Sequence, residues 1–317
     1  MSEPVLRVEG LSVVFDHPLG KVQAVDDISF ALAAGERFGL AGESGSGKST
    51  LALAILRMIK PPGRIEAGEV KLGNTGLADL DDEGMRALRL ARIALVPQGS
   101  MNSLNPVLRI GGQIADAFAD HGLRLSRGEE EQRIDALLIR VGLPGSVARM
   151  YPHELSGGMK QRACIAIAIA LHPKVIIADE PTSALDVVVQ RQVMATLARV
   201  QQDLGAAVIL IGHDMGLMAQ FVDRLAVMYA GRLVEVAPIA EIITRARHPY
   251  TRALIAALPS LETRGALAGI PGLAPLLRDL PPGCAFHPRC TLATERCRIE
   301  KPLLRRVDGA EVACHLA

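Results

Sequence analysis

Residues 42–49 read Gly42-Glu43-Ser44-Gly45-Ser46-Gly47-Lys48-Ser49, between the apolar stretch Arg37–Ala41 and the helical pattern of Lys48–Lys60. Glycines at these spacings let backbone N–H groups turn inward around phosphate oxygens, and the following helix offers its positive N-terminal end. The lysine reaches the outer phosphates, and the serine hydroxyl after it is a ligand for Mg²⁺. This strand–loop–helix context predicts a nucleotide phosphate site. Its members are Gly42, Ser44, Gly45, Gly47, Lys48, Ser49 and Thr50.

A second motif places two carboxylates directly after an apolar run. Val175–Ala178 is followed by Asp179 and Glu180. Four apolar residues indicate a buried strand, and ligands of open α/β sheets bind at the carboxyl ends of the strands. Asp179 is therefore predicted to hold Mg²⁺ through water, and Glu180 to orient and deprotonate an attacking water. Together the two motifs predict a nucleotidase of the P-loop class.

A third motif predicts a second anion site. In Leu155–Arg162, Ser156 is a good helix N-cap, and Gly157 and Gly158 expose backbone N–H groups at a positive helix end. One chain has little use for two terminal-phosphate sites around one nucleotide. Two chains packed head to tail would use both, so this motif favours a dimer.

The pattern of the rest of the chain predicts an α/β core with two additions. Alternating or apolar runs at Val5–Val8, Ser12–Phe15 and Val22–Leu32 indicate β-structure at the start. Helical patterns between glycine and proline residues, from Gly99 to about Ala163, indicate a helical insertion. Apolar runs at Lys174–Ala178 and Ala207–Ile211 resemble parallel strands, and a hairpin around Gly231 and a Cys-bearing tail follow.

Composition narrows the class of protein. The chain has 317 residues, of which 49% are hydrophobic. It has 35 basic and 34 acidic side chains, so its overall charge gives no reason to expect nucleic acid binding. Met1–Arg7 lacks the apolar core of a secretory signal, and no apolar run approaches the roughly 18 residues of a membrane helix. A cytoplasmic location is the expectation, and clustered cysteines there favour metal binding or catalysis over disulfides.

These motifs, in this order, resemble the ATP-binding subunits of ABC transporters over nearly the whole chain. The signature reads Leu-Ser-Gly-Gly-Met where glutamine is the commonest last residue. Gln98 matches the Q-loop glutamine that senses Mg²⁺ and the membrane subunits, and Ser183–Asp186 matches the D-loop. His213 matches the switch histidine that contacts the γ-phosphate. Phe15 aligns with the aromatic residue that stacks on adenine, with core packing as its alternative.

The resemblance implies a RecA-like P-loop NTPase core with an N-terminal antiparallel β subdomain, a helical insertion and a Cys-rich tail. The core is expected at residues 1–98 and 164–247, the helical signature subdomain at 99–163 and the tail at 248–317. It implies that ATP and Mg²⁺ lie between the phosphate loop of one chain and Ser156, Gly157, Gly158 and Asp186 of another. Lys48, Gln98, Glu180 and His213 would be catalytic, and Ser49, Gln98 and Asp179 would serve the metal.

Three stretches resemble one branch, the oligopeptide and dipeptide importers. They are the extended Q-loop Gln98–Val107, the stretch His248–Leu254, and the Cys-rich end Pro282–Cys290. The branch also includes importers for nickel and other small solutes, so the cargo stays open. An exporter and a soluble ABC protein are the rival functions. The last two stretches argue against an exporter, and a single cassette without a long coiled-coil insertion argues against the soluble protein.

The tail cysteines, Cys284, Cys290, Cys297 and Cys314, have no C-x2-C pair. Four thiolates suit Zn²⁺ or an iron–sulfur cluster, and plain packing or disulfides are further alternatives. The family tail favours [4Fe–4S]. The fifth cysteine, Cys164, lies in an apolar helix and is expected in the core.

The resemblance also implies partners and a location. In this branch the second ATPase subunit is commonly a different chain, so a heterodimer is expected, with a homodimer as the alternative. Two transmembrane permease subunits and an extracytoplasmic solute-binding protein would complete the importer. The chain would then sit peripherally on the cytoplasmic face of the inner membrane, with no nucleic acid partner.

Overall fold

The computed structural model describes residues 3–99, 103–257 and 269–317. Its contacts divide the chain into two compact units. The first unit contains residues 1–6, 32–36 and 79–209, and the second contains residues 7–31, 37–78 and 210–317. Residues 100–102 of the extended Q-loop lie outside the described part of the chain.

The second unit begins with the β-structure that the sequence predicts. Its first strands are β1 (Leu6–His17), β2 (Gly20–Leu32), β3 (Arg37–Ala41), β4 (Gly63–Leu72) and β5 (Thr75–Gly76). A four-stranded antiparallel sheet has the order β2-β1-β4-β5. The two short strands predicted around Gly10 are one strand, because Gly10 adopts a φ of 58° and stays hydrogen-bonded through its N–H to Ser29 Oγ.

A second sheet surrounds β3 in this unit. It contains β9 (Arg224–Tyr229), β10 (Arg232–Pro238), β11 (Arg305–Val307) and β12 (Ala310–Val312), in the order β11-β12-β10-β9-β3. Strand β9 is parallel to β3 and antiparallel to β10, which confirms the predicted hairpin. The sequence analysis did not foresee that the tail adds β11 and β12 to this sheet, where β12 pairs with β10.

The helices of this unit are short. They are α1 (Lys48–Ile55), α7 (Met215–Phe221), α8 (Ile239–Arg245), α9 (Pro249–Ala256) and α10 (Glu295–Ile299). Helix α1 ends earlier than the predicted Lys60, because Arg57 adopts a left-handed φ of 50° that stops the helix before the prolines. The ring of Tyr229, at the end of β9, packs with the tail rings of Tyr250 and Phe286, with centroids 4.6–5.3 Å apart.

The first unit holds the helical segment and the carboxylate-bearing strand. It contains α2 (Asp82–Leu88), β6 (Ile93–Val96), α3 (Ile110–Asp120), α4 (Arg127–Arg140), α5 (Gly157–Ala168), β7 (Val175–Asp179) and α6 (Val187–Leu204). Strand β8 (Ala207–Gly212) crosses from this unit into the second. Strands β6 and β7 are parallel, and β8 follows β7 in the sheet. The described residues between 103 and 163 form helices and turns without a strand, as predicted.

Besides β11 and β12, the sequence analysis gave no indication of β4, β5, α2, α7, α8 or α10. Strand β4 is mostly exposed, so its sequence carries little of the apolar alternation that marks a strand. The predicted α/β class with an antiparallel β subdomain is confirmed. Across the described ranges, we find no helix with both the length and the apolar character that a bilayer crossing requires.

Candidate functional site

The phosphate loop of the second unit has the strand–loop–helix form that its sequence predicts. Gly42 and Gly47, which flank the loop, have φ values of 155° and 100°. A Cβ on Gly42 would lie 2.2 Å from the carbonyl oxygen of Met228, and one on Gly47 would lie 2.2 Å from that of Ala24. Neighbouring backbone thus approaches so closely that only glycine fits at either end of the loop.

Lys48 holds this loop around its ammonium group. Its Nζ donates hydrogen bonds to the carbonyl oxygens of Gly42 (2.8 Å) and Glu43 (2.9 Å) and to Ser46 Oγ (3.3 Å). The residue is only 5% exposed. A buried ammonium needs such partners, and phosphate oxygens are chemically suited to replace them because they are stronger, charged acceptors. Ser49 and Thr50 follow it on α1 and are half-buried, whereas Ser44 and Gly45 are exposed.

Two further predicted residues lie in the same unit. Phe15 is half-buried on β1, and its ring packs so closely on Gly63 that a Cβ there would lie 2.5 Å from the ring. His213 is exposed directly after β8. It precedes Asp214, whose carboxylate accepts hydrogen bonds from the N–H groups of Gly216 and Leu217 and so begins α7.

In the first unit, the Q-loop glutamine and the predicted general base are in direct contact. Gln98 Nε2 donates to Glu180 Oε2 at 2.7 Å, and Ser183 Oγ donates to the same oxygen at 2.8 Å. Glu180 has a φ of 43°, uncommon for a residue with a Cβ and a feature that clusters at functional sites. The preceding Asp179 ends β7 and is buried. The structure therefore brings Gln98 to Glu180, 82 positions further along the chain, and it adds Ser183 as a second hydrogen-bond donor to the Glu180 carboxylate.

The signature motif begins α5 in the predicted manner. Ser156 caps the helix by accepting the N–H of Met159 at 3.4 Å. Gly158 faces α6, where an added Cβ would lie 2.4 Å from Val189 Cγ1. Asp186 caps α6 by accepting the N–H groups of Val188 and Val189, each at 3.0 Å. Glycine at 158 is thus required for the close approach of the two helices.

The surface beside this motif carries exposed apolar side chains. Val187 and Val188, in the first turn of α6, are 65% and 66% exposed. They follow Asp186 directly and precede Val189, which contacts Gly158. Two adjacent exposed valines next to a helix end with glycine N–H groups are suited to an interface with another chain.

Comparison with known proteins agrees with these motifs. The ABC transporter family model matches residues 25–183, and the model of the oligopeptide/dipeptide transporter C-terminal region matches residues 234–297. The chain belongs to the ABC transporter family. The predicted family and branch are therefore confirmed, and with them an ATPase coupled to transport.

Individual relatives cover almost the whole ABC chain. It is 43% identical to the dipeptide transport ATP-binding protein DppD of Escherichia coli K12, over 98% of this chain and 96% of that protein. It is 42% identical to DppD of Haemophilus influenzae, over 98% and 95%. Among solved structures it resembles the ATP-binding cassette MJ0796 in a dimeric post-hydrolysis state bound to ADP and Pi. That match has a TM-score of 0.66 and 27% identity, and it covers 74% of this chain and 98% of that one.

The four tail cysteines of this ABC subunit line one pocket together with His248, His287 and His315. All four cysteines are free thiols. Burial raises the pKa of Cys284 to about 11, so this thiol is protonated at neutral pH when no metal is bound. Within the described ranges, no three His, Cys, Asp or Glu side chains form a group able to hold a metal ion, so the structure does not support the predicted [4Fe–4S] cluster.

Sequence reasoning missed one set of residues at the phosphate loop. The side chain of Glu43 is paired with Arg289 of the tail, and its N–H donates to the hydroxyl of Tyr250. Glu43 occupies a position of the motif that admits any residue, and Arg289 lies 246 positions away along the chain. No local pattern could have indicated this pairing.

Proposed function

We propose that this chain is the ATP-hydrolysing subunit of an importer of dipeptides or oligopeptides. The observation that carries the proposal is its C-terminal region, residues 234–297, which matches that of oligopeptide/dipeptide transporters. The names of the relatives in Escherichia coli and Haemophilus influenzae, both dipeptide transport proteins, support the same cargo. An importer of nickel or another small solute is the alternative within the branch.

The proposed nucleotide site is completed by a second chain. The residues that bind ATP in one chain are Phe15, Gly42, Ser44, Gly45, Gly47, Lys48, Ser49 and Thr50, and the other chain supplies Ser156, Gly157, Gly158 and Asp186. Ser49, Gln98 and Asp179 serve Mg²⁺ and His213 contacts the γ-phosphate. Support for pairing comes from the exposed valines at the start of α6 and from the dimeric state of MJ0796.

Glu180 is the proposed general base of hydrolysis. Its carboxylate accepts hydrogen bonds from Gln98 and Ser183 on one oxygen, which fixes the direction in which the group points. A base held in this way is oriented before water arrives, and orientation is a large part of the rate that a protein provides. Gln98 thereby connects the base to the Q-loop, the segment proposed to contact the permeases.

We place the chain on the cytoplasmic face of the inner membrane, with two permease subunits, an extracytoplasmic solute-binding protein and a second, different ATPase subunit. A homodimer is the alternative. The proposed domains are a core of residues 1–98 and 164–247, a helical subdomain at 99–163 and a tail at 248–317. Support for permease contact comes from the exposed side chains of Val107 and Leu108 at the end of the extended Q-loop.

A transport assay tests the proposed cargo. We expect deletion of the gene in an amino-acid auxotroph to prevent growth on a dipeptide that contains the required residue, while growth on the free amino acid continues. Uptake of radiolabelled dipeptide by the same cells should fall to background, and the intact gene should restore it. Normal dipeptide uptake combined with a loss of nickel uptake would favour the alternative cargo.

The four tail cysteines are the proposed ligands of a [4Fe–4S] cluster, with Zn²⁺ as the alternative. Cys314 Sγ accepts the backbone N–H of Leu316 at 3.4 Å. Cys297 Sγ is 3.4 Å from Thr294 Oγ1. Hydrogen bonds to sulfur are a recurring feature of thiolate clusters, and the sulfurs line one pocket. When bound, the cluster would cross-link the separate segments of the tail.

Iron analysis tests this assignment directly. Chain purified without oxygen should be brown, should absorb broadly in the visible range, and should contain about four iron atoms per chain. Cys297→Ser should lose the colour, whereas Cys164→Ser should keep it, because Cys164 is buried in α5 and does not line the pocket of the four tail cysteines. Colourless protein with one zinc per chain would contradict the cluster.

A further inference from the structure

The phosphate loop is attached to the C-terminal tail through Glu43. Arg289 donates two parallel hydrogen bonds to its carboxylate, from Nη1 to Oε2 at 2.6 Å and from Nη2 to Oε1 at 2.9 Å. The side chain of Arg289 is only 6% exposed. A bidentate pair that is largely removed from water has fixed geometry, unlike a surface ion pair that exchanges with solvent. The second residue of the loop is therefore held in one place.

Arg289 is itself held from several sides. Its Nε donates to the carbonyl oxygen of Pro271 at 2.8 Å, and its Nη1 lies 3.3 Å from the hydroxyl of Tyr229. The guanidinium is 5.9 Å from the ring centroids of both Tyr229 and Phe286. It also directly precedes Cys290, which lines the cysteine pocket. The arginine cannot leave Glu43 without disturbing the packing of the tail.

Tyr250 makes a second attachment to the same residue. Its hydroxyl accepts the backbone N–H of Glu43 at 2.8 Å, and its own N–H donates to His248 Nδ1 at 3.0 Å. The side chain is fully buried, and burial raises the pKa of the phenol, so the hydroxyl stays neutral. Backbone and side chain of Glu43 are thus both bound by the tail.

We propose that Arg289 and Tyr250 are positioning residues for the phosphate loop, and that Arg289 also neutralises a carboxylate that would otherwise repel the nucleotide. Glu43 lies in the loop proposed to receive the triphosphate, and an unpaired carboxylate there would oppose binding of a polyanion. The tail therefore sets the affinity for ATP through Glu43. This inference rests on the proposed role of the loop in ATP binding.

A double-mutant cycle tests the proposal on the full-length chain. Arg289→Gln should weaken MgATP binding about ten-fold, because it frees the carboxylate and releases the loop. Glu43→Gln alone should change binding by no more than about three-fold, since the amide has no charge to be neutralised. In the Glu43→Gln background, Arg289→Gln should add no more than about three-fold. In steady-state hydrolysis assays, Arg289→Gln should raise the KM for ATP and leave kcat nearly unchanged.

A matched control is available in the same tail. Arg296→Gln removes the same charge, but Arg296 lies on an exposed surface, where it pairs with Glu300 at 2.6 Å, and among the described residues it forms no ion pair with the loop. It should leave MgATP binding unchanged. If Arg289→Gln weakens binding no more than Arg296→Gln does, or by the same factor with and without Glu43→Gln, the proposed role of Arg289 is wrong.

A milder variant covers the case in which Arg289→Gln does not fold. Tyr250→Phe removes only the acceptor for the Glu43 N–H, and we expect about three- to ten-fold weaker MgATP binding, while the chain still folds and melts at a slightly lower temperature. Unchanged binding by a folded Tyr250→Phe chain would overturn the attachment. A wild-type chain that bound no MgATP would instead contradict the proposed function of the loop.

Discussion

Glu180→Gln is expected to reduce ATP hydrolysis by about 10² to 10⁴-fold, the range that a positioned general base contributes, while MgATP binding is retained. Glutamine has the same shape as glutamate but cannot accept a proton at neutral pH. Its side-chain oxygen can still accept the hydrogen bonds that Gln98 and Ser183 donate to Glu180 Oε2. The substitution therefore removes the chemistry of the base and keeps its geometry.

The variant should also accumulate as ATP-bound dimers, because we propose that ATP closes the two ATPase chains together and that hydrolysis releases them. Phosphate release and size-exclusion chromatography with MgATP measure the two effects. Glu131→Gln is the control, since Glu131 is exposed on α4 and pairs only with Arg127 at 3.0 Å among the ion pairs described. Unchanged hydrolysis by the Glu180→Gln chain would remove Glu180 from the role of base.

Gly158→Ala is expected to lower ATP hydrolysis by about ten-fold or more, with MgATP binding to the isolated chain retained. The new Cβ would lie 2.4 Å from Val189 Cγ1, so α5 and α6 must move apart or Val189 must shift. Overpacking of this kind costs about 1–3 kcal/mol. Part of that strain would displace the glycine N–H groups proposed to bind the phosphate of the partner's nucleotide, and this displacement is what lowers hydrolysis.

The chain offers a closely matched control for this substitution. Gly128 is the second residue of α4 after the N-cap Ser126, as Gly158 is the second residue of α5 after Ser156, and a Cβ on Gly128 would meet no atom within 4 Å. Gly128→Ala should leave hydrolysis unchanged and stabilise the fold by about 0.5–1 kcal/mol. These effects are read from hydrolysis rates and melting temperatures.

A second substitution tests whether the packing of α5 against α6 causes the loss of hydrolysis in Gly158→Ala. Val189→Ala removes the methyl groups that the new Cβ would strike, so the double variant Gly158→Ala/Val189→Ala should recover most of the lost hydrolysis. If Gly158→Ala is fully active, or if Val189→Ala restores nothing, the close approach of α5 and α6 is not the reason for glycine at this position.

The elements that were predicted well have strong local patterns. The buried strands β3, β6 and β7 are short apolar runs, and the hairpin of β9 and β10 has Gly231 between two such runs. The elements that were missed have weak local patterns in the sequence. Strand β4 is largely exposed, and β11 and β12 contain three residues each, so pairing with neighbouring strands defines them more than composition does.

The sequence alone determined that this chain binds a nucleotide and belongs to the ABC transporter family. Gly42 and Gly47 are required because the backbone of Met228 and of Ala24 approaches too closely for a Cβ, and such a requirement appears in the sequence as one residue type at a fixed position. It could not determine what holds the loop in place. Glu43 and Arg289 are 246 positions apart, and no fixed spacing of residues in a sequence marks such an ion pair. Tertiary structure alone brings the tail to the loop, because long-range contacts depend on the complete fold.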